Sequence, residues 1–225
     1  MKEVLFLVEG QTEEAFVTSI LAPYLFSKKI ICTPVVVSTS KDKSGKKHKG
    51  GVINYRKVKN DILKLLKNKH AIVTTMIDYY GLPDDFPGWK ESKKKKGSVK
   101  MAECIEKALS DDIKNRQFLP YIQMHEFEAL LFSDKSGFSQ ILGFTPKTHA
   151  KFDAIFSQYK NPEEINDNPR TAPSKRIESA FPNYQKIKFG VLLSENITLP
   201  VMIKKCPHFK QWIENITKLT SQKSK

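Results

Sequence analysis

Acidic side chains follow three of the four strands that the apolar runs predict. The first run ends in Glu9-Gly10, with Glu13 a turn further on, the third ends in Asp78, and the fourth ends in the segment 125–128. In an open α/β sheet, functional groups collect at the carboxyl ends of the strands. We therefore expect these carboxylates to lie together on one rim of the sheet, where Gly10 allows the backbone to approach closely.

Converging carboxylates are typical of a site for a hard divalent cation. They repel one another unless a cation neutralises them, and Mg²⁺ or Mn²⁺ takes oxygen ligands of this kind. A metal held in this way can activate water and stabilise both oxygens of an in-line phosphodiester displacement. The candidate ligands for Mg²⁺ or Mn²⁺ are Glu9, Glu13, Asp78, Glu126 and Glu128.

Each of these acids also has a structural alternative. Glu9 and Glu13 could serve the start of the following helix, and Asp78 could form an Asx turn. Glu126 and Glu128 could be solvent-facing acids at a helix start. Because residues two apart do not share a helix face, we expect only one of this pair, with Glu126 preferred, to point into the site.

Three neighbours of these acids have two interpretations each. His125 could act as a general base, or it could be a hydrogen-bonded structural group at a strand end. Tyr79 and Tyr80, beside Asp78, could stack on a base or pack against the core or its rim. The residue types alone leave these alternatives open.

The strong excess of basic residues favours a polyanionic partner such as nucleic acid. Lys and Arg number 38 against 24 Asp and Glu, which gives a formal net charge of +14. Five lysines fall within Ser38–Gly51, and a further run, Lys93–Lys96, lies inside Lys90–Ser98. Both segments have the composition of mobile loops, in which lysine can also be ordinary solvated charge. The lysines that we expect to contact nucleic acid here are Lys46, Lys47, Lys49, Lys94 and Lys95.

A second basic segment contains two of the four arginines. Arg170 and Arg176 fall within seven residues of each other, with Lys175 between them, in a Pro-bounded loop that runs into a helix. The guanidinium fork and a helix start both suit phosphate. We expect Arg170 and Lys175 to stabilise developing phosphate charge. Arg176 and Lys186 are expected to contact the nucleic acid, and surface salt bridging is the alternative for the segment.

The elements that must position these residues alternate between strand and helix. Apolar patterning predicts strands over 3–8, 30–39, 71–77 and 118–124, and helices over 13–26 (with Thr12 as N-cap), 55–68 and 99–113. This order predicts an α/β fold with a largely parallel sheet flanked by helices. Short helices are predicted after Met124, over 125–132, 138–142, 149–159, 174–181, 197–204 and 208–219. We expect one domain over 1–225, with an α/β core of about 1–132 and a helical extension of about 133–225.

Composition narrows the class of protein. A hydrophobic fraction of 40% excludes wholesale disorder, and no apolar run approaches the ~20 residues of a membrane-spanning helix. Because the N-terminal apolar stretch is too short for a signal peptide, we expect a soluble, cytoplasmic protein. The three cysteines are then expected to be reduced and mostly buried thiols. Since no GxxxxGK[ST] motif is present, any nucleotide dependence is expected to come from a partner.

Four motifs in order resemble known families. The segment Val8–Glu13, following an apolar strand, resembles the opening glutamate motif of Toprim domains, and its second glutamate resembles the version in OLD-family nucleases. The later segments 78–83, 125–132 and 168–176 resemble a bacterial RloG-like family. Members of that family are similar to Toprim proteins and are encoded near restriction and other defence loci, often beside an ATPase. The resemblance covers nearly the whole chain.

The resemblance implies a Toprim-like fold and a Mg²⁺- or Mn²⁺-dependent endonuclease. Such a protein would cleave DNA or RNA, including tRNA, as the effector of an antiphage defence system with an ATPase partner, and homo-oligomerisation stays open. The chain departs from the Toprim pattern at Tyr80, where a second aspartate is usual. Asp84 or Asp85, or the Glu126 and Glu128 pair, would then complete the site. The alternative is a catalytically inactive nucleic-acid-binding or regulatory subunit.

Overall fold

A parallel β-sheet forms the centre of the protein. The computed structural model describes residues 1–38, 52, 54–165 and 168–221, and within these residues the sheet has five strands in the order β2-β1-β3-β4, with β5 also paired to β3. All of the strand pairs are parallel. The strands are β1 (Lys2–Val8), β2 (Ile30–Val36), β3 (Ala71–Asp78), β4 (Phe118–Leu119) and β5 (Ile122–Gln123). The predicted α/β class with a parallel sheet is confirmed.

The register of the two central strands decides where the acids emerge. β1 and β3 pair from Glu3 opposite Ala71 to Val8 opposite Met76. Both strands are apolar and buried over most of their length, as is usual where helices cover the two faces of a parallel sheet. Because β1 ends one residue before Glu9 and β3 ends at Asp78, these two acids leave the sheet at the same edge.

Helices from the N-terminal half of the chain lie on both faces of the sheet. On one face α1 (Gln11–Phe16) and α2 (Ala22–Phe26) share a core with Val4 and Phe6. The other face is covered by α3 (Tyr55–Leu65) and α5 (Ser98–Ile113). The buried side chains of α3 and α5 pack there against Leu5, Leu7 and Val73 of the central strands. Asn54 caps α3 by accepting a hydrogen bond from the backbone N–H of Lys57 at 3.0 Å. This half also contains α4 (Trp89–Ser92) and a π-helical turn over Val17–Leu21.

The C-terminal helices lie on the same face as α1 and α2 and share a core with β1. Trp212 packs edge-on against Phe6 at 5.8 Å, stacks on Tyr121 at 4.0 Å, and donates its indole N–H to Thr74. The predicted helical extension therefore packs directly on the sheet. Its helices are α6 (Lys135–Phe138), α7 (Pro146–Gln158), α8 (Pro173–Ala180), α9 (Lys186–Ile197), α10 (Leu199–Lys205) and α11 (Pro207–Ser221). Short 3₁₀ turns span Tyr79–Gly81, Phe127–Ser133, Pro162–Glu164 and Pro169–Thr171, and a π-helical turn spans Ser139–Gly143.

The structure differs from the sequence prediction at the fourth strand. The predicted strand over 118–124 is two separate pairs of residues, β4 and β5. Pro120, between them, has no N–H to donate to a ladder. The Thr75 hydroxyl bridges the gap, because it accepts from the N–H of Tyr121 and donates to the Tyr121 carbonyl, both at 2.8 Å.

Helix starts and one whole helix also differ from prediction. The first helix begins at Gln11 with Gly10 as N-cap, rather than after Thr12, because the Glu13 carboxylate reaches back to the Gly10 N–H at 2.9 Å. Helix α9 was not predicted, since Gly190 lies within it and weakens the helical pattern. A Cβ at Gly190 would lie 3.2 Å from the Phe127 ring, so close packing accounts for this glycine.

Two predictions from composition can be compared with the structure. The three cysteines are free, but only Cys206 is fully buried, whereas Cys32 and Cys104 are half-buried. Across the described residues, every helix is too short or too polar to cross a membrane. Of the predicted loop Ser38–Gly51, all but Ser38 lies outside the described residues, and the first part of Lys90–Ser98 belongs to α4.

Candidate active site

Glu9 and Asp78 lie side by side where β1 and β3 end. The backbone N–H of Asp78 donates to Oε2 of Glu9 at 3.1 Å, so the Glu9 side chain turns across to the neighbouring strand and does not cap the helix that follows it. Gly81 makes room for this carboxylate, because a Cβ there would lie 2.6 Å from Oε1 of Glu9. The sequence motif and the packing of Gly81 therefore place Glu9 at the rim of the sheet.

Glu13 takes part in the helix start and also belongs to the acidic group. Its side chain is 6% exposed, and Oε2 accepts from the N–H of Gly10 at 2.9 Å. Burial raises the pKa values of both Glu9 and Asp78, and the charge of Glu13 raises them further. The structural alternative considered for Glu13 is thus observed, and it leaves the side chain buried near the other acids.

Glu126 and Glu128 both reach the same lysine. Nζ of Lys186 lies 3.6 Å from Oε1 of Glu126 and 3.3 Å from Oε1 of Glu128. The prediction that only one of the two acids would point inward is wrong. Glu126 is extended and precedes the 3₁₀ turn that contains Glu128, so the helical spacing rule does not apply to this pair. The other oxygen of Glu126 accepts from the N–H of Ser174 at the start of α8.

We name these six residues, Glu9, Glu13, Asp78, Glu126, Glu128 and Lys186, the acidic cluster. Burial holds the pKa of Asp78 well above its usual range. The charges of the neighbouring acids, of which Glu13 has the largest effect, raise this pKa further. Burial and the Glu13 charge raise the pKa of Glu9 to about 7. Burial raises the pKa of Glu128 to about 7 against the opposing effect of Lys186, and burial raises the pKa of Glu13. The cluster therefore carries more acidic groups than one lysine can compensate.

The chemistry of the cluster fits a hard divalent cation. Oδ1 of Asp78 is buried and accepts no hydrogen bond, which is costly for a carboxylate oxygen unless a cation approaches it. The ligand atoms that these carboxylates offer are all oxygens, which Mg²⁺ and Mn²⁺ prefer. Among the described residues, however, no three His, Cys, Asp or Glu side chains are already gathered as a ligand set. Binding of an ion would require these carboxylates to close around it.

Lys186 is the ammonium partner of the cluster. Burial opposes its charge, yet the carboxylates of Glu128, Glu126 and Asp78 together raise its pKa. Sequence reasoning placed Lys186 on the nucleic acid and missed its pairing with the acids. Because α9 was not predicted, no sequence signal located Lys186 beside the segment 126–128.

The neighbours of Asp78 make contacts within the protein. The buried His125 ring places Nε2 at 3.0 Å from the carbonyl oxygen of Glu163 and Nδ1 at 3.2 Å from the Tyr80 hydroxyl. Tyr79 is 2% exposed and packs against Trp89, so its ring is not available for base stacking. Asp85 accepts from the N–H of Tyr55 with both oxygens, and the charges acting on Asp78 come instead from the acidic cluster.

The basic segment after residue 168 divides into buried and exposed contacts. Arg176 donates to the carbonyls of Thr171 and Ile165 and to the Tyr159 hydroxyl, so its guanidinium holds this turn together. Arg170 is exposed, and Lys175 is exposed and pairs with Glu178 at 2.7 Å. The N–H of Ser174, next to Lys175, binds Glu126 and so ties this segment to the acidic cluster.

The lysine-rich segments are described only in part. Lys94 and Lys95 are exposed just after α4, where the neighbouring Lys93 lies over the Trp89 ring at 3.8 Å. Lys46, Lys47 and Lys49 lie outside the described residues. Their contact with nucleic acid stays a prediction.

The fold and the site define an α/β protein with buried carboxylates at the carboxyl edge of a parallel sheet. The chain belongs to the family described as a domain of unknown function (DUF4276), whose model matches residues 8–217. That match includes every residue of the acidic cluster. No curated protein and no solved structure matches the chain.

Proposed function

We propose that this protein is a Mg²⁺- or Mn²⁺-dependent nuclease that hydrolyses phosphodiester bonds in DNA or RNA, including tRNA. The observation that carries the proposal is the acidic cluster at the ends of adjacent parallel strands, in which Glu13 and Glu128 are buried and the buried Oδ1 of Asp78 accepts no hydrogen bond. Buried acids in such excess are costly for folding, and sites that keep strongly perturbed acids are commonly functional.

Each acid has a defined part in this proposal. Glu9 and Asp78 hold the ion, and Glu13, Glu126 and Glu128 support it. When bound, Mg²⁺ or Mn²⁺ supplies an activated water and neutralises charge on the phosphate. Gly81 leaves space for the Glu9 carboxylate, the Asp78 N–H donates to it, and the Ser174 N–H orients Glu126.

Basic side chains near the acidic cluster would bind the phosphate and the rest of the nucleic acid. Arg170 and Lys175 are exposed on the segment tied to Glu126, where they would stabilise charge on the reacting phosphate. The net charge of +14 supports binding of a polyanion. The residues proposed to contact the nucleic acid are Lys46, Lys47, Lys49, Lys94, Lys95 and Lys186. Arg176, which the sequence also predicts to contact it, instead holds the turn that carries Arg170.

The wider biological setting rests on the sequence resemblance. The motifs around Glu9 and Asp78 resemble those of Toprim domains and OLD-family nucleases, which supports a Toprim-like arrangement of this α/β sheet. The resemblance to RloG-like proteins supports a cytoplasmic antiphage effector that works with an ATPase partner. Activity in isolation and after addition of such a partner are therefore both worth measuring.

Cleavage assays with matched variants test the nuclease proposal. Purified protein is incubated with plasmid DNA, single-stranded DNA and tRNA in the presence of Mn²⁺, Mg²⁺ or a chelator. Glu9→Gln and Asp78→Asn are expected to lower cleavage by about 100-fold or more, because each removes a metal ligand. Asp111→Asn makes the same change of charge on an exposed residue of α5, away from the acidic cluster, and should leave cleavage unchanged. Cleavage that survives in both cluster variants would contradict the assignment.

A second candidate is a catalytically inactive nucleic-acid-binding or regulatory subunit. It is favoured by Tyr80, which stands where a second aspartate is usual and contacts His125, and by the pairing of Lys186 with two of the acids. Calorimetric titration with Mn²⁺ separates the two functions. An inactive subunit should bind nucleic acid without binding the ion, whereas the nuclease should bind both.

A further inference from the structure

Lys186 occupies a position among the acids that a nucleic-acid contact alone does not explain. Its ammonium lies within 3.6 Å of carboxylate oxygens from both Glu126 and Glu128. Building on the proposed function, we propose that Lys186 is an internal counter-ion that competes with the divalent cation for this pair of carboxylates. Metal binding would then require release of the ammonium from Glu126 and Glu128.

The place of Lys186 in its helix supports a specific role. It is the first residue of α9, where the helix dipole disfavours a positive charge. Gln185, at the N-cap, offers no side-chain hydrogen bond to the helix start. The lysine is thus poorly suited to starting the helix, and the nearby carboxylates provide the compensating interaction.

Packing holds the backbone of Lys186 near the cluster while its side chain is partly exposed to solvent. Helix α9 packs against α1, and Gly190 lies close to Phe127 and Thr12. The Lys186 side chain is 41% exposed, in contrast to 1% for Glu128. A long side chain at this boundary can leave the carboxylates for solvent without unfolding the helix.

Competition between Lys186 and the metal ion predicts the direction in which the affinity for Mn²⁺ should change. A positive charge within a few ångströms of a ligand carboxylate repels an incoming cation, and partial burial strengthens the repulsion. Removing the charge of Lys186 should therefore increase the affinity for Mn²⁺, whereas removing an ordinary phosphate contact should leave it unchanged. Removing the charge of Lys186 should also lower the free energy of unfolding in the presence of a chelator, because the acids then lack their counter-ion.

The test measures Mn²⁺ affinity by calorimetry at mildly alkaline pH, without nucleic acid. The variant is Lys186→Met, and Lys186→Arg retains the charge. Lys188→Met is the matched control, because Lys188 is exposed two positions further along the same helix. We expect Lys186→Met to bind Mn²⁺ about tenfold more tightly than wild type, and Lys186→Arg and Lys188→Met to bind like wild type.

Thermal unfolding gives a second readout that needs no activity. The rise in unfolding temperature on adding Mn²⁺ should be larger for Lys186→Met than for wild type or Lys188→Met. Unchanged or weaker Mn²⁺ binding by Lys186→Met, with wild type binding the ion, would overturn this inference and leave the nuclease proposal standing. Absence of Mn²⁺ binding in wild type and every variant would overturn the metal site itself and this inference with it.

Discussion

Two buried groups of acids in this protein have opposite character. In the group that begins α11, Glu163 is fully buried and accepts from the N–H groups of both His208 and Phe209, and the His208 ring lies 2.9 Å from Glu106. The acidic cluster instead holds five acids around one lysine, with an oxygen of Asp78 unsatisfied. In the first group, the Glu163 carboxylate fixes the start of α11. The acidic cluster has more carboxylates than positive partners. Such an excess of acids indicates a ligand site better than the compensated acids of the Glu163 group do.

The His208 group has one imperfection. Nδ1 of His208 is buried without a hydrogen bond, at 3.9 Å from Oε1 of Glu163. Even so, the hydrogen bond and charge of Glu106 and the charge of Glu163 raise the pKa of His208 against the effect of burial, so the ring and the acids compensate each other. The difference between the groups is thus the balance of charge rather than the depth of burial.

The largest expected effect comes from pH, because pH titrates several acids of the cluster at once. In the folded protein the pKa values of Glu9 and Glu128 are about 7, above the ordinary value of 4.5. Between these values the folded state binds more protons than the unfolded state, so stability falls as pH rises from about 5 to about 8. Urea unfolding across this range, in the presence of a chelator, measures the fall.

Two controls assign this pH dependence to the cluster. The double variant Glu9→Gln/Glu128→Gln should flatten the curve, and Mn²⁺ should flatten it for wild type by replacing protons on the acids. A curve that keeps its slope in the double variant would place the titration at other groups with raised pKa values, such as Asp78, Glu163 or His208, whose effects have the same sign.

Glu163→Ala should destabilise the protein by about 3 kcal/mol, because it leaves two buried N–H groups of α11 without an acceptor. The free energy of unfolding from urea titration measures this loss. Glu164→Ala removes an exposed acid next to it and should have little effect. If the two variants were equally stable, Glu163 would not be the balanced structural acid described above.

Asp78→Asn should change stability in the opposite direction. The substitution keeps the shape of the side chain and removes an acid whose charged form is disfavoured by burial and by four neighbouring acids. We expect the variant to be more stable than wild type by about 1 kcal/mol in a chelator. Asp84→Asn, on the exposed loop, serves as the control. A loss of stability in Asp78→Asn would mean that this acid is structural, like Glu163.

The smallest expected change in stability follows Gly81→Ala. The added Cβ would meet the Glu9 carboxylate, which is the flexible end of a side chain and can move aside. Stability should stay within about 1 kcal/mol of wild type. Calorimetry should nevertheless show weaker Mn²⁺ binding, since the carboxylate is displaced. Unaltered Mn²⁺ binding would remove Glu9 from the ligand set.

The sequence predicts the parts of the site that depend on local pattern. The apolar runs before Glu9 and Asp78 are continuous, as buried parallel strands require, so both acids were correctly placed at strand ends. The interruption at Pro120 was missed because the strand pairing is continued by the Thr75 hydroxyl. Thr75 lies on another strand, 46 residues before Tyr121, to which it is hydrogen-bonded. Lys186 was placed on the nucleic acid because its contact with residues 126–128 joins distant segments, and such tertiary contacts leave no periodic signal.

The packing of Trp212 on Phe6 has a consequence for the synthesis of the protein. Phe6 lies about 200 residues before Trp212 in the chain, so this ring contact forms only after α11 has been made. Contacts so distant in sequence slow folding and favour late, concerted closure. During synthesis the Phe6 ring therefore lacks its Trp212 partner until α11 has been made, and this part of the growing chain keeps apolar surface exposed.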